Sequence, residues 1–254
     1  MNSDLKSIGL GFDTWRHAIE AAIGSEDLAV FGEVRGGQLV RFEDPSGARL
    51  LILGVEPYST FAGFAGGSRV TAHVSAVDDV LAMIDVVDDV PTSPTFEKTV
   101  TSLTCNLEQG PMIVDEPPLT FEQVSLTALA LAVQLDESAA AYEDRTGYRP
   151  GRFYSSGAAP ILQPGESTGR PDASAELSGV VERAEKRVTS LTGDEFWVVR
   201  VNTPLPMDVT LPGDIEPEPA PGTVVSGSFM MVGEVIPPAG CGSGGCGSGS
   251  CGCH

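Results

Sequence analysis

The feature that most constrains the fold is a series of short segments with two-residue hydrophobic periodicity, each ended by a turn. Residues 69–77 alternate apolar and polar side chains, and residues 195–203 repeat this pattern. Residues 28–34, 38–42 and 49–55 are joined by Arg35-Gly36-Gly37 and Asp44-Pro45-Ser46-Gly47. Alternation places side chains on opposite faces of a strand, and Gly, Pro and Asp favour turns. The pattern predicts a mainly β fold with some α-helix.

Further strands are predicted over 176–188, 207–211 and 223–236. A helix is predicted after Asp13 or Thr14, with an apolar face of Phe12, Trp15, Ile19 and Ile23. Helix is also favoured at the start of 77–90, despite its β-branched residues, and over the Ala- and Leu-rich segment 121–142, where a strand at the start of the segment is the alternative. Residues around 61–67 and 146–172 are rich in Gly or Pro and predict loops.

Breaks in composition suggest four segments. We expect a β-rich N-terminal domain with a leading helix over 1–92, then a middle α/β segment and Gly/Pro-rich linker over 93–172. A small β-barrel-like domain over 173–237 and a flexible Cys-rich tail over 238–254 complete the chain. The fold class is therefore mainly β with one or two small β-barrel-like domains and a disordered Cys/Gly/Ser tail.

The barrel-like segment has three notable stretches: Gly179-Val180-Val181, Thr192-Gly193 before Phe196-Trp197-Val198-Val199, and Gly222-Thr223-Val224-Val225-Ser226-Gly227. With these stretches, residues 173–236 resemble the OB-fold, a five-stranded Greek-key barrel. The resemblance covers about a quarter of the chain and implies a ligand-binding barrel, including one for single-stranded nucleic acid. A faint repetition, of 46–55 in 192–201 and of 66–72 in 221–227, suggests that the chain contains two such units.

The charge of the chain argues against several partners. The formal net charge is −20, with no cluster of Lys and Arg. Such a surface repels phosphate backbones and anionic lipids, so neither nucleic acid nor a membrane is an expected partner. No apolar run reaches the length of a membrane span or of a secretory signal, and only Cys105 lies outside the last fourteen residues. We therefore expect a cytoplasmic protein, with a protein partner left open.

The tail carries the clearest chemistry. Its potential metal ligands are Cys241, Cys246, Cys251, Cys253 and His254, separated mainly by Gly and Ser. Thiolate and imidazole groups suit zinc or copper(I). The spacing matches no known zinc finger. The alternatives are a tail without a fixed role, a redox-active thiol patch, or a substrate for modification.

The remaining residue types favour structural roles. Gly165-Glu166-Ser167-Thr168-Gly169 matches a hydrolase string, but prolines flank it and no base pairs with it. The five aspartates between 78 and 89 predict a solvated face, His73 a surface site, and Cys105 a buried small hydrophobe. We find no catalytic constellation and expect a non-enzymatic binding or adaptor protein. The alternatives are a nucleic-acid-binding barrel that uses Trp197, or an enzyme with an unrecognised site.

Overall fold

The computed structural model describes residues 3–167 and 169–237. It confirms a mainly β chain with two sheets. A 3-10 turn at Ser156–Ala158 precedes the last helix. The helices are α1 (Ser3–Ser7), α2 (Trp15–Ile23), α3 (Gly110–Ile113), α4 (Ala139–Thr146) and α5 (Ala159–Leu162). The strands are β1 (Leu28–Val34), β2 (Gly37–Glu43), β3 (Ala48–Leu53), β4 (Ser59–Phe64), β5 (Val70–Ala76), β6 (Leu81–Val87), β7 (Thr99–Leu107), β8 (Leu119–Asp136), β9 (Arg152–Tyr154), β10 (Ser174–Val188), β11 (Glu195–Asn202), β12 (Pro206–Pro212) and β13 (Val224–Val235).

Strands β1 to β4 form the smaller sheet, an antiparallel meander. The turn between β1 and β2 places Arg35 and Gly36 at positive φ, which matches the right-handed twist of a two-residue hairpin. The predicted meander had three strands and a loop around 61–67. The fourth strand, β4, occupies most of that loop. Its backbone pairs with β3, and its side chains Phe61 and Phe64 are buried, which stabilises the strand.

The nine-stranded sheet closes on itself twice. Strands β5, β6 and β7 form a meander that closes through β8 and β13 into a first ring of five strands. Strands β10, β11 and β12 close through the same β8 and β13 into a second ring. The pair β8–β13 is therefore a wall common to both rings.

The two rings repeat one topology. In residues 70–136, β8 is antiparallel to β5, and in residues 174–235, β13 is antiparallel to β10. Strands β5 to β8 form one unit, and strands β10 to β13 form the other. The third strand of each unit is parallel to the fourth strand of the other unit, so β7 pairs with β13 and β12 pairs with β8. A repeat is thus present in the strand pairing, but its limits differ from the repeated segments suggested by sequence. A turn followed by alternating apolar and polar residues occurs in most hairpins, so this pattern does not show where a repeat begins or ends.

The segment that resembles the OB-fold supplies β10, β11, β12 and β13, whereas the fifth strand of its ring, β8, comes from residues 119–136. The boundaries at 92, 172 and 237 stay predictions, since strand pairing does not measure which segments fold independently.

One apolar core fills both rings, with Val124, Leu177, Val199 and Phe229 among its buried members. A second core lies between the smaller sheet, the N-terminal helices and the outer face of the second ring. Phe196 on β11 is fully buried there and meets Phe64 of β4 edge to face, with ring centroids 6.0 Å apart.

Two helix predictions are wrong. Residues 77–90 contain strand β6, and residues 121–142 are mostly strand β8. Every residue from 124 to 130 is buried because β8 has core on both faces, which removes the alternation that marks a half-buried strand. In α2, Thr14 caps the N-terminus as predicted, but the buried residues are Ala18 and Ala22, and Ile23 is 57% exposed.

Candidate functional site

All five predicted metal ligands, Cys241, Cys246, Cys251, Cys253 and His254, lie outside the described residues. The described residues instead end just after β13, and the end of this strand is anchored. Gln109 holds both backbone groups of Val235: its Nε2 donates to the Val235 carbonyl at 2.9 Å and its Oε1 accepts from the Val235 amide at 3.0 Å. The Ile236 amide then donates to the Gln123 carbonyl at 2.8 Å. These three bonds hold residues 235 and 236 against the rest of the fold.

A cluster of buried charges lies beside this anchor, between the two sheets. Arg49 of β3 donates through Nη1 to Glu108 at 3.0 Å and to Glu234 at 2.7 Å, and through Nη2 to Glu43 at 2.7 Å. Arg41 of β2 contacts Glu108 at 3.0 Å and Glu234 at 3.2 Å. Arg49 is 6% exposed and Glu108 is 1% exposed. The cluster joins β2 and β3 to β13 one residue before the Gln109 contact.

Burial and ion pairing act against each other in this cluster. Burial raises the pKa of Glu108, and the nearby Arg49 guanidinium offsets only part of that effect. Burial by itself would lower the pKa of Arg49, but attraction to Glu108 and hydrogen bonds to Glu234 and Glu43 outweigh it and raise that pKa. Two arginines face three carboxylates, so the cluster carries a formal charge of −1 when all five groups are ionised.

Within residues 3–167 and 169–237, no group of three or more His, Cys, Asp or Glu side chains is arranged to hold a metal ion. The aspartates between 78 and 89 each make local contacts instead. Asp78 accepts from the amides of Val80 and Leu81, and Asp79 pairs with Arg35. The other three contact hydroxyl groups: Asp85 meets Ser102, Asp88 meets Ser93 and Thr95, and Asp89 meets Thr71.

Cys105 is a buried small hydrophobe, as predicted. It lies in the core of the rings with no exposed surface, and desolvation raises the pKa of its thiol to about 12. A thiol with so high a pKa stays protonated near neutral pH and is a poor nucleophile and metal ligand.

Trp197 does not offer a free face for base stacking. Its side chain packs against the core of the rings, and the Lys186 ammonium lies over the indole, 4.7 Å from the ring centroid. The neighbouring Phe196 faces the other way, under the smaller sheet. The two side chains thus occupy the two faces of β11 expected from their alternation.

The hydrolase-like string also lacks its required setting. Ser167 follows α5 in a turn, where an isolated bridge joins Pro164 and Ser167. A nucleophile elbow needs a strand before the serine and a helix after it.

Among its surface pockets, the structure forms a cleft beside β9 that the sequence did not predict. It has a volume of about 460 Å³ and is lined by residues of β9, β10, β13 and α4. The only indication of this cleft in the sequence is that Tyr148, Arg152 and Tyr154 lie close together in a segment predicted to be a linker. Strand β9 has only three residues, so its period could not be recognised.

Among the described residues, no helix is both long and apolar enough to cross a membrane. The cytoplasmic location stays a prediction. No protein-family model, curated protein or solved structure matches this chain.

Proposed function

We propose that this protein is a non-enzymatic binding or adaptor protein that holds a soft metal ion, zinc or copper(I), through its C-terminal cysteines and histidine. The observation that carries the proposal is the donor set itself. Four thiols and one imidazole occur within fourteen residues, with only small residues between them. Four such donors complete the tetrahedral coordination that Zn²⁺ adopts in structural sites, and thiolates also suit Cu⁺.

The anchor at Gln109 limits where the metal would be held. Four residues separate Ile236 from Cys241, so five extended steps of the chain, at most about 18 Å, join their Cα atoms. The first thiolate would therefore lie near the end of β13, at one end of the ring wall. An anchored start leaves fewer residues to be ordered when the ligands converge on one ion, which lowers the entropic cost of binding.

Metal content of the full-length protein tests the proposal. Protein purified without chelator should contain about one zinc or copper ion per chain, as expected for a single site with four ligands. Replacement of Cys241, Cys246, Cys251 and Cys253 together by serine should abolish it. The matched control is Cys105→Ala, which removes the remaining thiol and should keep the full metal content.

Near-zero zinc and copper in the wild-type protein after exposure to each metal would overturn the proposal. Equal metal content in the wild type and the fourfold serine variant would also overturn it, since the ligands would then lie elsewhere. The variant His254→Ala tests whether the imidazole is a metal ligand. Its loss should weaken metal binding by at least about tenfold, the smallest loss expected when a residue that hydrogen-bonds to a metal ligand is removed.

A further inference from the structure

The missed cleft lies on the outer face of the second ring. Tyr142 of α4 forms one side, and the short edge strand β9 forms the other with Arg152 and Tyr154. Strands β10 and β13 form its floor. A volume of about 460 Å³ is within the range of small-molecule sites, about 300–1,000 Å³.

Strand register makes this floor polar. Ser226 of β13 is opposite Ser178 of β10, and Ser178 is opposite Arg152 of β9. Opposite residues of antiparallel strands project from the same face, so these three side chains form one row. A second row, two residues along, contains Ser228, Glu176 and Tyr154. Between the rows, Phe153 and Leu177 point the other way, into the core of the rings.

Two groups in the first row have no polar partner among the described residues. Ser178 is 3% exposed, and its hydroxyl oxygen makes no hydrogen bond there. That oxygen is fully covered, so it lies beneath the floor and out of reach of a ligand, which leaves Arg152 as the accessible group of this row. Arg152 has no carboxylate within 4.0 Å among the described residues, while its guanidinium is supported by the Tyr148 ring, 4.4 Å from the centroid.

Arg145 and Arg152 differ in their partners. Arg145 of α4 is held by both oxygens of Asp136, at 2.8 and 2.5 Å, and also donates to Ser226. Arg152 has no such contact with a described residue, so its guanidinium is available to donate to a ligand.

Acceptor groups lie in the second row. Glu176 is exposed and accepts from the Ser228 hydroxyl at 2.6 Å, and the Tyr154 hydroxyl can accept or donate. Tyr154 is 52% exposed, so much of its side chain is open to contact. The cleft therefore offers a guanidinium in one row, a carboxylate in the next, and tyrosine rings at its sides.

We propose that this cleft binds a neutral polyhydroxylated ligand of the saccharide class. Sugar hydroxyls both donate and accept, which uses the Arg152 guanidinium and the Glu176 carboxylate together, and a sugar ring can pack on a tyrosine ring. An anionic ligand would gain from Arg152 but would meet Glu176 and the negative field of the chain. The proposal is independent of the metal-binding tail.

Saturation-transfer difference NMR with the full-length protein tests this proposal. The probes are glucose, N-acetylglucosamine, maltose and cellobiose, with glucose 6-phosphate as the charged comparator. At least one neutral sugar should receive saturation. Arg152→Gln and Tyr154→Ala should each weaken its binding by about tenfold or more, the loss expected for one hydrogen bond to a charged group or one aromatic contact.

Matched controls lie outside the cleft. Arg183→Gln changes an exposed arginine of β10 that also lacks a carboxylate partner among the described residues, and Tyr58→Ala changes a tyrosine that is 72% exposed just before β4. Both should bind as the wild type does.

Three results would each overturn the proposal. The first is no saturation transfer to any of the four neutral sugars. The second is tighter binding of glucose 6-phosphate than of glucose. The third is unchanged affinity in both Arg152→Gln and Tyr154→Ala, which would place the sugar elsewhere.

Discussion

The buried cluster around Arg49 makes a quantitative prediction about stability. The substitution Arg49→Met removes the guanidinium and keeps an apolar side chain of similar length. It leaves Glu108, which is 1% exposed, without its two contacts to Arg49 at 3.0 and 3.2 Å. Glu234 and Glu43 also each lose a contact of 2.7 Å.

The expected cost follows from what remains of the cluster. Removing one partner of a buried ion pair costs about 3–5 kcal/mol because an uncompensated charge stays buried. Arg41 still contacts Glu108 at 3.0 Å, so we expect the lower end, about 3 kcal/mol in the free energy of unfolding near pH 7. Adding Glu108→Gln to this variant should recover at least about 1 kcal/mol, because the orphaned charge is gone.

The loss should also depend on pH. Burial raises the pKa of Glu108 in the folded state above its value in the unfolded chain. The folded state therefore binds this proton more tightly, and its unfavourable charge disappears as the pH falls through the folded pKa. Without Arg49 that pKa rises further, so the stability deficit of Arg49→Met should shrink as the pH is lowered from neutral through the folded pKa of Glu108.

Urea unfolding followed by circular dichroism measures these free energies, and urea does not screen charges as guanidinium does. Arg16→Met is the control, since it removes an exposed pair with Glu20 and should leave the midpoint unchanged. A loss below about 1 kcal/mol for Arg49→Met, or a loss that does not decline at lower pH, would refute the reasoning.

Two further predictions concern other buried groups. The thiol of Cys105 is fully buried and has a pKa of about 12, so Cys105 should resist iodoacetamide in the native protein and react only in urea. Peptide-resolved mass spectrometry would detect the labelled residue. Labelling of Cys105 in the native protein would contradict its burial. Asp208 is 2% exposed, accepts from the amides of Gly67 and Ser68 at 2.5 and 3.0 Å, and pairs with Arg200 at 2.8 Å. Asp208→Ala should therefore lower the free energy of unfolding by about 2–4 kcal/mol, with a smaller loss for Asp208→Asn, and equal effects of the two substitutions would argue against the amide contacts.

The burial of each strand decided whether that strand could be predicted from the sequence. Strands such as β5 and β11 have different environments on their two faces, so their alternation and their turns are visible in the sequence. Strand β8 is buried on both faces over residues 124–130, and its Ala- and Leu-rich composition favoured helix. Burial on both faces is known only once the partners of a strand are known.

The candidate sites were predictable to different degrees. The proposal of Cys241 to His254 as metal ligands depends only on residue type and needs no fold. The pairing of Arg49 with Glu234 joins residues 185 positions apart, and no local pattern indicates it. The cleft beside β9 depends on a three-residue strand aligned with β10, so register rather than sequence spacing brings Arg152 beside Ser178.

The wall common to both rings has a consequence for biosynthesis. Each ring needs β13, which ends at residue 235. A nascent polypeptide can form hairpins such as β5–β6 early, but it cannot close either ring until residue 235 has been translated. Contacts of such large sequence separation slow folding, so partly synthesised chains would expose open strand edges until β13 is made. Dependence on chaperones that shield nascent chains would follow from this order of strands.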